Sequence, residues 1–244
     1  MFMTNLRRLT AIHLLSFSML FILPATSQAQ HAPIAEQIAK AYGLDSFGKV
    51  EAIRYTFSIP ELKVSRTWVW EPKTDTVSYE GPGKDGKPIK VTYQRDALSS
   101  QSDAVKNDID PAFVNDHYLL LFPLHVAWDN WATVTDEGMH EMPISKKSAR
   151  RVVVKYPSQG GYSPGDTWEL YVGKNKRIEE FVFHRAGAGW PKVFTATWEG
   201  YKKAGPLLFS TEHHGTTDDG KSATVSFSDV AVKVTGSDNW INAH

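Results

Sequence analysis

The chain has 244 residues with 27 basic and 27 acidic side chains, so no basic excess points to nucleic acid or to an anionic membrane surface. It contains no cysteine, which excludes disulfides, zinc–thiolate sites and a lipidated N-terminal cysteine. Eight tryptophans and an aromatic content of 12% have to be housed, either as packed core or as the lining of a cavity.

The N-terminus reads as an export signal. Arg7 and Arg8 form a short basic region, and Leu9 to Leu23 are mostly apolar. A run of about 15 residues is shorter than the ~20 needed to span a bilayer as a helix. Pro24 breaks it, and Ser27-Gln28-Ala29 offers small residues where a signal peptidase cuts. Cleavage is expected after Ala29, by general secretion, which makes residues 1–29 a signal peptide and places the mature chain in the periplasm or outside the cell. Removing the segment takes away two arginines and no acid, which leaves a small acidic excess. No later stretch approaches membrane length, so the mature chain is expected to be soluble, without a transmembrane segment. Residues 30–244 suit a single domain with a sizeable core.

Ile34, Ile38, Ala41 and Tyr42 lie on one helical face, with Pro33 at the first position and Gly43 just past the end. Ile53, Tyr55, Phe57 and Ile59 then alternate with Arg54, Thr56 and Ser58, the period of a strand with one apolar face. Thr67 to Trp70, Thr76 to Tyr79 and Ile89 to Tyr93 continue an antiparallel meander, with turn chemistry at 72–75 and 81–87. Asp110 is placed to cap a second helix with Pro111 at its first position, and Pro123 is expected to end or kink it. The apolar stretch on to Trp131 should lie over one face of the sheet. Further strands are expected at 151–156, 167–172, 178–183, 193–198, 207–211, 223–227 and 230–234. Hairpin turns are read at Gly173 to Lys176 and at Asp218-Asp219-Gly220. Roughly nine to eleven strands without a βαβ rhythm predict a mainly β, α+β fold: a curved antiparallel sheet or incomplete barrel, with the two helices on the same face.

Three stretches carry a family resemblance. They are Ile34 to Phe57, with Gly43, Phe47, Val50 and Ile53-Arg54-Tyr55; His117 to Asp129, with Phe122-Pro123 inside an aromatic–leucine run; and the hairpin Trp168 to Phe183, with Arg177-Ile178-Glu179 after its turn. Together they resemble bacterial exported proteins of the LolA-like superfamily, in the uncharacterised branch related to outer-membrane lipoprotein-sorting proteins. The resemblance implies helices covering the concave face of the sheet and an apolar cavity between them that holds an acyl chain or other hydrophobic ligand. Some relatives instead sense or bind protein partners. An outer-membrane acceptor role is not expected, because the chain lacks the lipobox cysteine of the anchored relatives.

The candidate ligand-binding residues are the rings expected on the inner face: Tyr55, Phe57, Trp68, Trp70, Tyr79, Phe122, Trp128, Phe181, Phe183 and Trp198. Two readings stay open, a packed core or the lining of a concavity. Glu212, His213, His214, Asp218 and Asp219 could hold a metal, but adjacent strand residues point to opposite faces, so His213 and His214 do not easily share an ion. His117, His125 and His140 match no metalloenzyme spacing. No Gly-x-Ser-x-Gly occurs, and the glycine-rich Gly160 to Gly165 lies between strands, where it reads as a loop at the mouth of the concavity. Gly187 to Pro191 reads as a hairpin tip. No cofactor, metal or catalytic residue is assigned. The leading expectation is a periplasmic, non-enzymatic protein that binds a lipid or another hydrophobic small molecule. The alternatives are a filled-core module that binds an envelope protein or senses envelope state, and a metal-dependent hydrolase around His213 and His214.

Overall fold

The computed structural model describes residues 32–189 and 191–244. The export segment read at residues 1–29 lies outside them, as does Trp190. The first described element is helix α1, Pro33–Ala41, which buries Ile34, Ala35, Ile38 and Ala39. Pro33 costs it no hydrogen bond, because the first N–H groups of a helix have no partner within it. The chain leaves through Gly43 at φ +103°, where a Cβ would collide with the Pro206 carbonyl. Only glycine lets the helix end dock so closely.

Four strands follow as a meander: β1 (Val50–Ile59), β2 (Val64–Glu71), β3 (Thr76–Pro82) and β4 (Pro88–Gln94). In β1 the side chains of Ile53, Tyr55 and Phe57 are fully buried, while Arg54, Thr56 and Ser58 between them are partly exposed. After helix α2, Asp110–Trp128, come β5 (Thr133–Glu141), β6 (Ser148–Lys155), β7 (Thr167–Val172), β8 (Ile178–His184) and β9 (Val193–Thr197). The chain closes with β10 (Glu199–Ala204), β11 (Leu207–Thr217), β12 (Ser222–Val234) and the short β13 (Ile241–Asn242). All thirteen form one antiparallel sheet in the order β4-β3-β2-β1-β12-β11-β9-β8-β7-β6-β5, with β10 on β11 and β13 on β12. The outer strands β4 and β5 do not pair, so the barrel stays open.

Helix α2 shows that the sheet is curved. Its Phe113 ring lies 5.4 Å from Trp68 on β2, and its Phe122 ring stacks 4.0 Å from Trp168 on β7. In a flat sheet those strands, six positions apart, would be separated by about 29 Å. One helix touches both because the sheet wraps around it. Its buried residues include Phe113, Leu120, Leu121, Phe122, Leu124 and Val126. That all-round apolar character is what an enclosed helix requires. Helix α1 packs on α2 and shares its core, so both helices lie within the concavity.

Several expectations need correction. Asp110 does not cap α2: it is already helical at φ −64° and ψ −40°, and a π turn, Val105–Ile109, leads into the helix. Its carboxylate instead accepts from the Tyr93 hydroxyl (3.0 Å) and Arg95 Nε (2.7 Å). Pro123 does not end the helix, which continues to Trp128. A proline has no N–H, so the carbonyl four residues earlier, that of Leu119, loses its helical donor. His213 Nε2 on β11 lies 2.9 Å from that oxygen. The sheet thus satisfies the carbonyl that the proline leaves free, and the helix is pinned to β11 at the same point. The stretches at 223–227 and 230–234 are one strand, β12, with Asp229 at φ +52° in a bulge opposite Arg54 to Thr56. Strands β5, β10 and β13 were not expected.

His213 carries a prediction. Burial lowers its pKa to about 4, against the raising effect of the Leu119 and Thr197 carbonyls. A neutral ring has one N–H, which we assign to Nε2, facing the otherwise donorless Leu119. The unfolded chain takes up a proton near pH 6.5 that the folded ring refuses until about pH 4, so this group's contribution is complete above pH 6.5 and is lost as pH falls towards 4. The loss should reach on the order of 3 kcal/mol. Asp116 acts oppositely, since burial raises its pKa to about 6 and its ionisation costs stability as pH rises through that range. The decisive quantity is therefore the difference between wild type and His213→Gln, which keeps a donor but does not titrate. Denaturant titrations from pH 7 to pH 5 should show a shallower fall for the variant. Equal slopes would mean that His213 is not held neutral.

Candidate cavity in the half-barrel

The concavity is filled along much of its length and open at one end. The open part is a cavity of about 490 Å³. One wall is the N-terminal half of α2, with Pro111, Val114, Asn115, Tyr118 and Leu119. Opposite it stand Trp168 of β7, Phe183 of β8, Phe194 of β9 and Ala223 and Val225 of β12. Ala223 and Val225 reach the same space because alternate strand residues share a face. Ile59 and Leu62 at the β1–β2 turn, together with Gly161, Tyr162 and Ser163, complete the wall. Leu62 and Tyr162 are about half exposed, at 54% and 49%, and mark where the cavity meets solvent. The glycine-rich loop therefore does lie at the mouth. Tyr162 is held there by the Arg95 guanidinium, 4.5 Å over its ring.

The ten candidate rings divide. Phe183 is on the cavity wall. Phe122, Phe181 and Trp198 belong to a packed chain: Phe122 on Trp168 (4.0 Å), Trp168 on Phe181 (5.4 Å), Phe181 on Trp198 (5.4 Å) and Trp198 on His213 (4.3 Å). Phe227 joins His213 to Tyr55 and Phe57. Trp68 packs between Tyr79 and Phe113. Trp70 and Trp128 meet at Phe47, towards the C-terminal end of α2 and away from the cavity. The structure thus brings most of the rings together as core. The wall residues that sequence reasoning missed include Val114, Leu119, Trp168, Arg185, Phe194, Ala223 and Val225. Among these, Val225 alternates with the polar Thr224 and Ser226, but that pattern is equally that of core.

Most polar groups of the wall have defined partners or sit at the rim, whereas the indole N–H of Trp168 is buried without an acceptor among the described residues. Tyr118 donates to Asp129 Oδ2 (2.7 Å), which also accepts from Tyr156 (2.7 Å), while His125 Nδ1 lies 3.0 Å from Asp129 Oδ1. Burial pushes Tyr118 and Tyr156 well above the usual phenol range, so both stay neutral donors. Asp129 is held below the usual carboxylate range, because the His125 hydrogen bond and charge and the two hydroxyls outweigh the opposing effect of its burial. Asp166 accepts from the Ala186 N–H (2.9 Å) and so ties the glycine-rich loop to the end of β8.

The histidine clusters do not converge. His213 is buried and faces the core, whereas His214 is on the outer face near Glu199 and Glu212. His117 and His125 are neighbours, with ring centroids 5.3 Å apart, but His140 lies on β5 against the Glu137 carbonyl. Burial, with the charges of His125 and Arg95, holds His117 well below the usual imidazole range. Among the described residues no group of three or more His, Asp or Glu side chains is arranged to hold a metal ion.

These features define an open antiparallel half-barrel wrapped around a helix, with an apolar cavity at one end. That architecture is the one the LolA-like resemblance implied. No protein-family model matches the chain, and no curated protein matches it. Among solved structures, similar chains include a domain named for outer membrane lipoprotein sorting from Vibrio parahaemolyticus (12% identity, 84% of this chain and 93% of that one, TM-score 0.46). A DUF1329 family protein from Desulfovibrio piger (8%, 84% and 94%, 0.43) and a LolA superfamily protein from Nitrosomonas europaea (11%, 82% and 93%, 0.39) are also similar. At these TM-scores the likenesses say nothing of ligand or partner.

Proposed function

We propose that this protein is an exported, non-catalytic binding protein that holds a hydrophobic ligand, an acyl chain or lipid, in the cavity at the end of its half-barrel. The observation that carries the reading is the cavity itself. Its volume of about 490 Å³ falls in the ~300–1,000 Å³ range of small-molecule pockets. Val114, Leu119, Trp168, Phe194 and Val225 make the wall predominantly apolar. Export is supported by Arg7-Arg8, the apolar run and Ser27-Gln28-Ala29. Among the described residues no helix is long and apolar enough to cross a membrane. The packed rings deeper in the concavity favour the second reading, a filled-core module that docks an envelope protein; the open end favours ligand binding.

A panel of fatty acids and lysophospholipids tests this. A ligand present at a hundred times its Kd should add about 2.7 kcal/mol to stability. In a domain of this size that raises the melting temperature by about 5–10 °C. Trp168 is on the wall and is the reporter: Trp168→Phe should remove most of the ligand-dependent fluorescence change, and Trp70→Phe should leave it. If no member of the panel moves fluorescence or melting temperature, the filled-core reading takes over.

A further inference from the structure

We infer that the cavity is built for an anionic single-chain amphiphile, with its carboxylate or phosphate paired to Arg185 and its tail against the apolar wall; this rests on the binding reading above. Among the described residues three charged side chains line the cavity: Asp110, Asp166 and Arg185. Asp110 is neutralised from behind by Arg95 Nε at 2.7 Å and by the Tyr93 hydroxyl. Asp166 is nearly buried and spends its Oδ1 on the Ala186 N–H. Arg185 has no such partner among the described residues. Among the described residues no carboxylate lies within 4.0 Å of its guanidinium, whose hydrogen bond is from Nε to the Pro191 carbonyl at 3.3 Å.

The placement of Arg185 is that of an anchor. Its guanidinium lies 5.2 Å over the ring of Phe183, another wall residue. Stacking on Phe183 and the tie to Pro191 fix the plane of the fork while Nη1 and Nη2 remain free of protein acceptors among the described residues. A guanidinium held in that way suits a carboxylate or phosphate oxygen pair, which it grips bidentately. The apolar rings begin immediately beyond it, at Phe183, Phe194 and Trp168. An anion at Arg185 therefore starts a chain that continues into the cavity. A cavity of this volume takes one small ligand, so a two-chain lipid would leave a chain outside.

The experiment compares three probes of equal tail, dodecanoate, dodecan-1-ol and dodecyltrimethylammonium, by Trp168 fluorescence below their aggregation concentrations, with acetate and inorganic phosphate as tail-less arms. Wild type should bind dodecanoate at least about tenfold more tightly than the alcohol or the cation, in line with a charge-assisted pair. Arg185→Gln should bring the three within about threefold of one another, and Arg185→Lys, which keeps the charge without the fork, should fall between. Acetate and phosphate should not compete at concentrations comparable to dodecanoate. If the three probes bind equally to wild type, or the preference survives Arg185→Gln, the anchor is refuted while the cavity reading stands. If acetate or phosphate competes equally, the site is one for a free anion and the amphiphile is refuted. If no tailed probe binds, the binding reading itself fails and the anchor with it.

Discussion

Asp116→Ala should lower the stability of the fold by about 3–5 kcal/mol, the range for breaking a buried ion pair from one side. Asp116 has no solvent-exposed surface. It accepts from Arg66 Nε at 2.8 Å and Nη2 at 2.7 Å, from Trp68 Nε1 at 2.9 Å and from Asn115 at 3.2 Å. These bonds tie α2 to β2, the strand on which Trp68 lies fully buried. The alanine variant leaves a guanidinium with a fifth of its side-chain surface in water and a buried indole N–H without an acceptor. The net worth of the pair is smaller than the cost of breaking it. Burial pushes the Asp116 carboxyl up to about 6 even though Arg66 and Trp68 pull it down, so desolvation consumes much of the attraction. Replacing both partners, as in Arg66→Met with Asp116→Leu, should therefore recover part of the loss. Urea titrations of the two variants measure this, and a single-variant cost below about 1 kcal/mol would show that the contact is not structural.

Ala223→Phe should weaken the proposed ligand binding by at least about tenfold without harming the fold. Ala223 lies on β12 opposite Gly215 of β11, and its side chain borders the cavity. A ring there enters empty apolar space, where filling adds about 0.5–2 kcal/mol of stability, so the melting temperature should hold or rise. The same ring takes the volume a tail needs. Burying about 300 Å² of tail is worth a gross ~7 kcal/mol at ~25 cal/mol per Å², of which ordering and association costs leave micromolar binding or weaker. Losing that space should weaken dodecanoate binding by at least about tenfold. Thr224→Phe is the control. Thr224 points to the other face, where its backbone N–H meets Glu61 and its hydroxyl lies near His214, so binding should persist. Unchanged binding in Ala223→Phe would mean that the ligand sits elsewhere.

The sequence alone determined what local chemistry can specify. Pro33 and Gly43 bracket α1 because one lacks an N–H that a first turn does not need and the other takes a φ that side chains avoid. The turn at Gly173 to Lys176 closes with bonds from the Gly173 N–H to the Arg177 carbonyl and from the Lys176 N–H to the Gly173 carbonyl. The Asp218-Asp219-Gly220 turn closes from the Thr217 N–H to the Lys221 carbonyl, with Gly220 at φ +78°. Strand alternation such as that of β1 follows from one wet and one dry face. Three features depended on contacts between residues far apart in the chain. The edge strand β5 reads TVTDEGMHE and buries only Val134, so it has no apolar period to find; pairing with β6 makes it a strand, across a register shift between Asp136 and Met139. Helix α2 survives Pro123 because His213, 94 residues from Leu119, supplies the Leu119 carbonyl with the donor that proline removes. The cavity exists because small or short side chains, Ala223 and Val225 among them, meet across a curved sheet where larger rings would have closed the space. Ring content counts what must be buried, but which rings touch one another and which leave a gap is a property of the curvature, and curvature is set only when α2 is gripped from β2 and β7 together.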